Sequence, residues 1–235
     1  MNKPICIIAG VGEGNGYALA REHERKGYFV IALSRNISKL EALFGGINTE
    51  NVAAIACDLS NTDSIHSMYQ SVLESHGKPS LLIYNAGNAL FDSIDNVNIN
   101  DFEMAWKLNC AGLLSLSQCM LPDLESASNP GIIVIGATAS LRGTAKTLSF
   151  SSAKSAQRAM VQSMAKTLWP RGIHVSYVII DGVIKTSITS DYFPDKDDNF
   201  FIHPESLAKR ISALSEQDKS AWAFEIDIRP FKENW

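Results

Sequence analysis

Near its start the chain has an apolar run that ends in a series of alternating glycines. Residues 5–16 read ICIIAGVGEGNG, and the residues that follow, YALAREHERKG, have the spacing of an amphipathic helix. The isoleucines are typical of a strand buried on both faces. This order favours a nucleotide-phosphate loop, because Gly10, Gly14 and Gly16 let the chain turn tightly and let backbone N–H groups at the helix start approach a pyrophosphate. The alternative is a strand-to-helix turn without a ligand.

Apolar segments alternate with amphipathic segments along the rest of the chain. Strands are predicted near 5–9, 28–34, 52–57, 80–84, 131–136, 173–180 and 222–228, and helices near 15–26, 37–43, 61–76, 99–121, 147–169 and 204–214. Ser60 and Asn61 are placed to cap the third helix, and Pro204 suits the first turn of the last. Right-handed crossovers in such a chain build a Rossmann-type, doubly wound parallel sheet of about seven strands with helices on both faces. We therefore expect one α/β domain over 1–235.

Length and composition agree with this fold class. The chain has 235 residues, of which 46% are hydrophobic and 20% charged, so it can bury a large core within one domain. A net charge of −4 gives no electrostatic reason to expect nucleic acid or an anionic membrane surface as a partner. The longest apolar runs are too short for a membrane span, and the N-terminus does not resemble a cleavable signal. We expect a cytoplasmic protein with a small-molecule substrate and no membrane or nucleic-acid partner.

Cysteine and histidine do not have metal-binding spacing. Cys6 and Cys57 fall in predicted strands, Cys110 and Cys119 fall in a predicted helix, and the five histidines are scattered. Free buried thiols are therefore expected, and no metal site is predicted.

The longest irregular segment lies around 181–203 and contains DYFPDKDDNF. A connection of this length is unusual, so we interpret the segment as a lid over the substrate site, with an ordered surface loop as the alternative. Residues 88–94 and 141–147 are expected to line the substrate pocket with this segment.

Six short motifs together resemble the short-chain dehydrogenase/reductase family over essentially the whole chain. In chain order they are Gly10-x-x-x-Gly14-x-Gly16, Cys57-Asp58-Leu59, Tyr84-Asn85-Ala86-Gly87, Lys107-Leu108-Asn109, Phe150-Ser151-Ser152-Ala153-Lys154 and Asp181-Gly182-Val183-Ile184-Lys185-Thr186. The resemblance implies that the glycines, Asp58, Leu59, Asn85, Ala86, Gly87, Ile184 and Thr186 contact a nicotinamide dinucleotide. It also implies that Lys154 binds the nicotinamide ribose and that Asn109 anchors a water chain to it.

Two positions depart from the family pattern. Phe150 stands where the family has its catalytic tyrosine, and Ala137 stands where it has its serine. In that family the phenol protonates the carbonyl oxygen as hydride arrives, the lysine lowers the pKa of the phenol, and the serine holds the substrate oxygen. Neither residue present here can do this, so cofactor binding is better supported than standard catalysis.

Several neighbouring groups are candidates to replace the missing phenol. The hydroxyl candidates are Thr138, Ser149, Ser151 and Ser152, which would relay a proton from water or from Lys154. Asp181, where the family has proline, would act as an acid if burial raised its pKa, or would cap the following turn.

The end of the second strand bears on the choice of cofactor. Ser34 and Arg35 stand where a carboxylate would bind the ribose 2′-OH of NAD. A guanidinium suits the 2′-phosphate of NADP, whereas Glu13 in the glycine loop opposes it. NADP is therefore favoured over NAD.

The leading functional hypothesis is an NADP(H)-dependent oxidoreductase that acts on a carbonyl or alcohol by a non-standard proton path. The alternatives are a weak or inactive dinucleotide-binding sensor or scaffold, and a lyase or isomerase on the same fold. We also expect a homodimer or homotetramer, because the helices near 99–121 and 147–169 have large apolar faces. These faces are formed by Met104, Leu108, Leu113, Leu116, Met160, Met164 and Leu168.

Overall fold

The computed structural model describes residues 3–45 and 48–233, so residues 1, 2, 46, 47, 234 and 235 of the predicted 1–235 domain lie outside the described residues. The strands are β1 (Ile5–Ala9), β2 (Phe29–Ser34), β3 (Asn48–Thr49), β4 (Val52–Ala56), β5 (Pro79–Tyr84), β6 (Gly131–Ile135), β7 (His174–Ile180), β8 (Val183–Ile184), β9 (Phe201–Ile202) and β10 (Glu225–Ile228). The α-helices are α1 (Asn15–Arg25), α2 (Ile37–Phe44), α3 (Thr62–Ser75), α4 (Ile99–Trp106), α5 (Gly112–Ser126), α6 (Leu148–Leu168), α7 (Ser187–Tyr192) and α8 (Pro204–Ser215).

The main sheet has the order β10-β7-β6-β5-β1-β2-β4-β3. Seven of these strands are parallel, and β3 pairs antiparallel with β4 at one edge. The strand order reverses at β1, so the loops that follow β1 and β5 leave the sheet toward opposite faces and open a crevice at the carboxyl ends of the strands. The predicted doubly wound parallel sheet is confirmed.

Alternate side chains of the parallel strands supply two apolar layers. Ile7 lies in a buried cluster with Leu116 of α5, and Ile8 lies in the opposite cluster with Leu19 of α1. Full burial of one such side chain contributes roughly 1.5–3 kcal/mol to folding. Both faces of the sheet are thus covered by helices, which explains why the strands read as continuous apolar runs.

The predicted helix boundaries are confirmed in part. Asn61 caps α3 by accepting from Ser64 N at 3.1 Å, and Pro204 lies in the first turn of α8. The single helix predicted over 99–121 is instead divided by a π-helical turn at Lys107–Ala111 and continues to Ser126. The continuation is held by the Tyr69 hydroxyl, which donates to the Asp123 carboxylate at 2.6 Å.

The last strand is shorter than the range 222–228. It begins at Glu225, because Trp222 turns aside to stack on His174 with a centroid distance of 4.7 Å.

The apolar faces predicted to form an interface are mostly internal. Leu113, Leu116 and Leu168 are buried within the protomer, and Leu108, Met160 and Met164 pack against the same core. The expectation that these side chains exceed what packing on the sheet requires is therefore wrong for Leu113, Leu116 and Leu168, whereas Leu108, Met160 and Met164 are partly buried and Met104 is exposed. The apolar side chains that α4, the π turn and α5 expose are Ile99, Met104, Trp106 and Leu114.

Cys6, Cys57 and Cys110 are buried free thiols, whereas Cys119 is half-buried. Burial raises the pKa of the Cys110 thiol to about 11, which keeps it protonated. Within residues 3–45 and 48–233 no cluster of three His, Cys, Asp or Glu side chains has the arrangement of a metal site. No helix in the described part of the chain is long and apolar enough to cross a bilayer.

Candidate functional site

The glycine loop after β1 makes two close approaches that exclude larger residues. Gly10 has φ +89°, and a Cβ there would lie 2.6 Å from the Cα of Ala86. Gly14 has φ +83°, and a Cβ there would lie 2.8 Å from Cγ2 of Thr186. Both the backbone conformation and the contacts require glycine. The loop therefore brings the segments after β5 and β8 against the start of α1.

The start of α1 has the features of an anion site. Gly14 occupies the cap position, no side chain caps the helix, and its first turn carries no acidic residue. The positive end of the helix dipole thus has no acidic partner within the first turn of the helix. The buried Asn15 Oδ1 has no hydrogen-bond partner among the described residues, and as an acceptor it fits a hydroxyl or N–H donor of a bound ligand and not a phosphate oxygen. The helix start, without a side-chain cap or an acid in its first turn, fits the pyrophosphate of a dinucleotide.

A first cleft of about 730 Å³ runs along the carboxyl ends of β1, β2, β4 and β5. Most of the predicted cofactor-binding residues line it, namely Gly10, Gly16, Ser34, Arg35, Leu59, Asn85, Ala86, Gly87, Ile184 and Thr186. Gly14 and Asp58 lie beside the cleft without lining it. Asn85 is held in place because its Nδ2 donates to Gly10 O at 2.7 Å.

Two charged groups at the far end of this cleft have different environments. Arg35 is exposed directly after β2. The Asp58 Oδ1 accepts from the backbone N of Ser60 at 2.9 Å and from its hydroxyl at 2.7 Å, and these bonds lower the pKa of Asp58. Asp58 is thus a carboxylate that stabilises its own turn, whereas Arg35 is an exposed cation that lines the cleft.

The acidic residue of the glycine loop contacts the 181–203 segment. The backbone N and the hydroxyl of Ser187 donate to the Glu13 carboxylate at 2.9 and 3.0 Å, and these bonds lower the pKa of Glu13. This segment contains β8, α7, a 3-10 turn at Asp198–Phe200 and β9, with β8 and β9 paired. The segment that the sequence suggested as a lid thus lies against the glycine loop.

A second cleft of about 590 Å³ adjoins the first and shares five lining residues with it, namely Asn15, Asn85, Gly87, Ala89 and Ile184. Ala137, Phe150 and Lys154 line the second cleft together. The two loops expected to form the substrate pocket contribute Asn88, Ala89, Phe91, Arg142, Thr144 and Thr147. The positions that the family motifs single out therefore meet in one cavity.

Lys154 lies where the two clefts meet and is buried. Its Nζ donates to Ile135 O at 3.0 Å and to Gln157 Oε1 at 2.9 Å. An ammonium has three N–H groups, so one remains for a ligand. Burial lowers the pKa of Lys154 to about 8. The cleft has room beside the Lys154 ammonium because residue 87 is glycine. A Cβ at position 87 would lie 3.3 Å from Nζ.

Gln157 is a site residue that the sequence did not single out. Its side chain is fully buried, and its Nε2 donates to the backbone O of Asn109 at 2.7 Å while its Oε1 accepts from Lys154. The amide therefore joins the lysine to the π turn, where the sequence suggested a water chain. The available signal was a polar residue on the buried face of α6, three positions after Lys154.

Asn109 itself is oriented by short-range contacts. Its Nδ2 donates to Ala105 O at 2.8 Å and to Asn88 Oδ1 at 3.3 Å. Its Oδ1 is buried without a partner among the described residues and lies next to the open side of Gly87. An acceptor left in this position fits a hydroxyl donor from a bound ligand.

The hydroxyls considered as replacements for the tyrosine all donate elsewhere. Thr138 donates to Asp181 Oδ1, Ser149 to the Asp92 carboxylate, Ser151 to Thr147 Oγ1 and Ser152 to Ser149 O. A hydroxyl has one proton to donate. Of these four residues only Thr138 lines the second cleft. None of them therefore presents a proton to the cleft in this arrangement.

Asp181 has a different role from either sequence interpretation. It is buried, its Oδ1 accepts from Thr138 and its Oδ2 pairs with Arg229 at 3.0 Å. Both carboxylate oxygens of Asp181 are therefore engaged within the chain, and the side chain does not line the second cleft. Asp181 thus ties the end of β7 to the residues that follow β10 and is not placed as an acid.

Comparison with known proteins bears on the family and the fold of this chain. The family model for short chain dehydrogenase matches residues 4–197. An uncharacterized oxidoreductase of Staphylococcus aureus (strain USA300) is 24% identical over 226 residues, which cover 96% of each chain.

Two solved structures illustrate the similarity in fold. The short-chain dehydrogenase from Rhodopseudomonas palustris is 28% identical, with a TM-score of 0.80 and coverage of 97% of this chain and 99% of that chain. The NADPH-bound short chain oxidoreductase from Pseudomonas aeruginosa PAO1, described as containing an atypical catalytic center, is 17% identical, with a TM-score of 0.86 and coverage of 99% and 97%. Because the family model spans most of the chain and the fold agrees, this protein belongs to the short-chain dehydrogenase family.

Proposed function

We propose that the protein is an NADP(H)-dependent oxidoreductase that interconverts a carbonyl and an alcohol with Lys154 as its proton donor. The observation that carries the proposal is the position of Lys154, a buried lysine with one free N–H at the junction of a dinucleotide-sized cleft and a substrate-sized cleft. NADPH would supply the hydride when bound.

The residues of the first cleft would hold the cofactor. The glycine loop and the start of α1 suit the pyrophosphate, and Arg35 suits a 2′-phosphate through bidentate contact. Asn109 Oδ1 suits a ribose hydroxyl as its acceptor, which leaves the one free N–H of Lys154 for the substrate oxygen. The NADPH-bound Pseudomonas aeruginosa oxidoreductase supports this choice as an analogy of fold.

The proton chemistry follows from what lies around Lys154. Phe150 and Ala137 replace the hydroxyls of the family pattern with apolar surface, and the nearby hydroxyls donate elsewhere. A pKa of about 8 makes Lys154 a stronger acid than an ordinary lysine, while it still carries its proton at neutral pH. Its Nζ would release a proton to the substrate oxygen, directly or through a water molecule, and would accept one in the reverse direction.

The proposal is tested by a fluorescence titration of the purified protein with NADPH and NADH, followed by turnover of a panel of aldehydes and ketones. We expect NADPH binding and reduction of at least one carbonyl class. Failure to bind either dinucleotide would contradict the proposal. Binding without turnover of any carbonyl would instead favour a sensor or scaffold.

Arg35→Ala should remove most of the preference for NADPH over NADH. The guanidinium would lose a charge-assisted contact with the 2′-phosphate worth about 1.5–3 kcal/mol, which weakens NADPH binding while NADH binding changes little. Isothermal titration calorimetry with both dinucleotides measures this. Lys39→Ala is the matched control, because Lys39 is an exposed cation of α2 that does not line the first cleft. Equal affinities for the two dinucleotides before mutation would refute the assignment.

We also propose a homodimer or homotetramer that pairs through the exposed apolar side chains of α4 and α5. Trp106 and Leu114 are 49% and 42% exposed and lie eight residues apart along a nearly continuous helical segment. Light scattering at micromolar concentration should give two or four chain masses, and Trp106→Glu with Leu114→Glu should lower the mass to one chain. Ile94→Glu, at a site 77% exposed on another loop, should leave the mass unchanged. A wild-type monomer would contradict this proposal.

A further inference from the structure

We propose that the substrate is an oxo acid, a carbonyl compound with an apolar body and a carboxylate that Arg142 binds at the mouth of the second cleft. This inference rests on the proposed function, since it takes the second cleft as the substrate site. It specifies the substrate class that the family alone does not give.

The first argument is the charge of the cleft lining. Arg142 and Lys154 are the charged side chains among the described residues that line the second cleft, and both are cationic. The other polar lining groups are amides and threonine hydroxyls, such as those of Asn88, Thr144 and Thr147. A cleft with two cations and no carboxylate in its lining favours an anionic ligand.

The second argument is that the Arg142 guanidinium is not engaged within the chain. Arg142 makes no ion pair or side-chain hydrogen bond with the described residues, and its side chain is exposed. Two acidic residues of the surrounding segments have other partners: Asp92 accepts from Ser149 N at 2.9 Å, and Asp181 pairs with Arg229. The guanidinium is therefore free to form two parallel hydrogen bonds with a carboxylate.

The third argument is how the backbone holds Arg142. It follows the 3-10 turn Thr138–Ser140, which begins three residues beyond the end of β6, and its N donates to Thr138 O at 3.3 Å. The loop carrying the guanidinium is thus anchored to the same strand end as Ala137, whereas Lys154 is buried and approaches Ile135 O. Arg142 is thus a cation at the exposed edge of the cleft, and Lys154 is an acid in its interior. This arrangement suits a ligand with a carboxylate at one end and a carbonyl at the other.

The lining between these two cations determines the rest of the substrate. Phe91 and Phe150 line the cleft with Ala89 and Ala137, which gives an apolar surface. An aromatic or branched aliphatic body would bury against it, with the carbonyl toward Lys154 and the carboxylate toward Arg142. The single cation at the mouth matches a monoanion better than a phosphate ester.

The test compares 4-formylbenzoate with its methyl ester, which share the same aldehyde. We expect the wild-type protein with NADPH to have a kcat/KM at least tenfold higher for the acid. Arg142→Gln should lower kcat/KM for the acid by roughly ten- to hundredfold, the range for a charge-assisted contact, and leave the ester within about twofold. Lys146→Gln is the control, since Lys146 is an exposed cation of the same loop that does not line the cleft. Equal kcat/KM for acid and ester, or a ratio unchanged by Arg142→Gln, would overturn the inference.

A binding arm separates this inference from the proposed function. Calorimetry of 4-formylbenzoate with the NADP⁺-saturated protein involves no reduction, and Arg142→Gln should weaken the affinity tenfold or more. Tighter binding of 4-formylphenyl phosphate than of 4-formylbenzoate would overturn the choice of a carboxylate. If neither dinucleotide binds, the proposed function fails, and the same titration without cofactor still decides whether Arg142 holds an anion. Equal affinity of wild type and Arg142→Gln there would refute it.

Discussion

Lys154→Met is expected to lower kcat/KM for carbonyl reduction at least a hundredfold. Methionine keeps the length and apolar volume of the side chain but has no proton to donate, and loss of a positioned acid typically costs about 10²–10⁴-fold in rate. The affinity for NADPH should change by a smaller factor, because the free N–H of Lys154 is assigned to the substrate oxygen and not to the cofactor. Steady-state kinetics together with an NADPH titration measure the two effects. Lys166→Met is the control, since Lys166 is exposed on the same helix.

The pH profile distinguishes an acid from a structural lysine. The pKa of Lys154 is about 8, so kcat/KM should fall as pH rises through about 8, where the protonated form is lost. This fall in kcat/KM is the alkaline limb of the pH profile, and a lysine with the ordinary pKa of about 10.4 would place it near pH 10.4. Gln157→Glu should move the limb to higher pH, because a carboxylate 2.9 Å from the ammonium favours its charged form, and Gln157→Leu should move it to lower pH. A limb that stays in place in both variants would show that Gln157 does not position the proton.

Thermal unfolding of each variant separates these effects from loss of structure. Lys154→Met leaves Ile135 O and Gln157 Oε1 without a donor, and each buried unsatisfied group costs about 1–3 kcal/mol. We therefore expect a lower melting temperature with a native circular dichroism spectrum. A variant that melts like the wild type yet keeps full activity would refute Lys154 as the proton donor.

The sheet could be predicted because its signals are local. Each strand is an apolar run, each crossover helix follows with its own spacing, and right-handed connection leaves few ways to arrange them. The glycine loop was visible for the same reason, since Gly10, Gly14 and Gly16 lie within seven residues and serve one turn. The predicted helix boundaries were wrong where a contact distant in sequence determines them. An example is the helix end near Asp123, whose partner Tyr69 is 54 residues away.

The contacts that define the proton chemistry were not visible in the sequence. Gln157 reaches Asn109 O across 48 residues, and Asp181 pairs with Arg229 from beyond the last strand. Such pairings depend on which helices and strands pack together, and the spacing of residues along the sequence does not predict them. Arg142 lies within a loop that the sequence assigned to the pocket, but its lack of an internal partner emerges only when the surrounding acids are placed.

Ala137→Ser combined with Phe150→Tyr is expected to raise carbonyl reduction by about 10²–10⁴-fold, the usual contribution of a tuned general acid. Phe150 and Ala137 line the same cleft as Lys154, so a phenol and a hydroxyl placed there would stand beside an ammonium that lowers the pKa of the phenol. Phe231→Tyr is the matched control, because it adds a phenol at an exposed position that does not line the cleft and should leave the rate unchanged. Initial rates with NADPH and the best carbonyl of the panel measure the change.

The direction of the change identifies which acid this site uses. A rise, with an alkaline limb that no longer follows Lys154, means that the site keeps the geometry of its family and lacks only the hydroxyls. A fall means that the apolar Phe150 is needed to keep Lys154 desolvated and therefore acidic. The phenol of the double variant would then make Lys154 a weaker acid. If both proteins bind NADPH and reduce nothing across the panel, the oxidoreductase proposal is refuted and a dinucleotide sensor or scaffold takes its place.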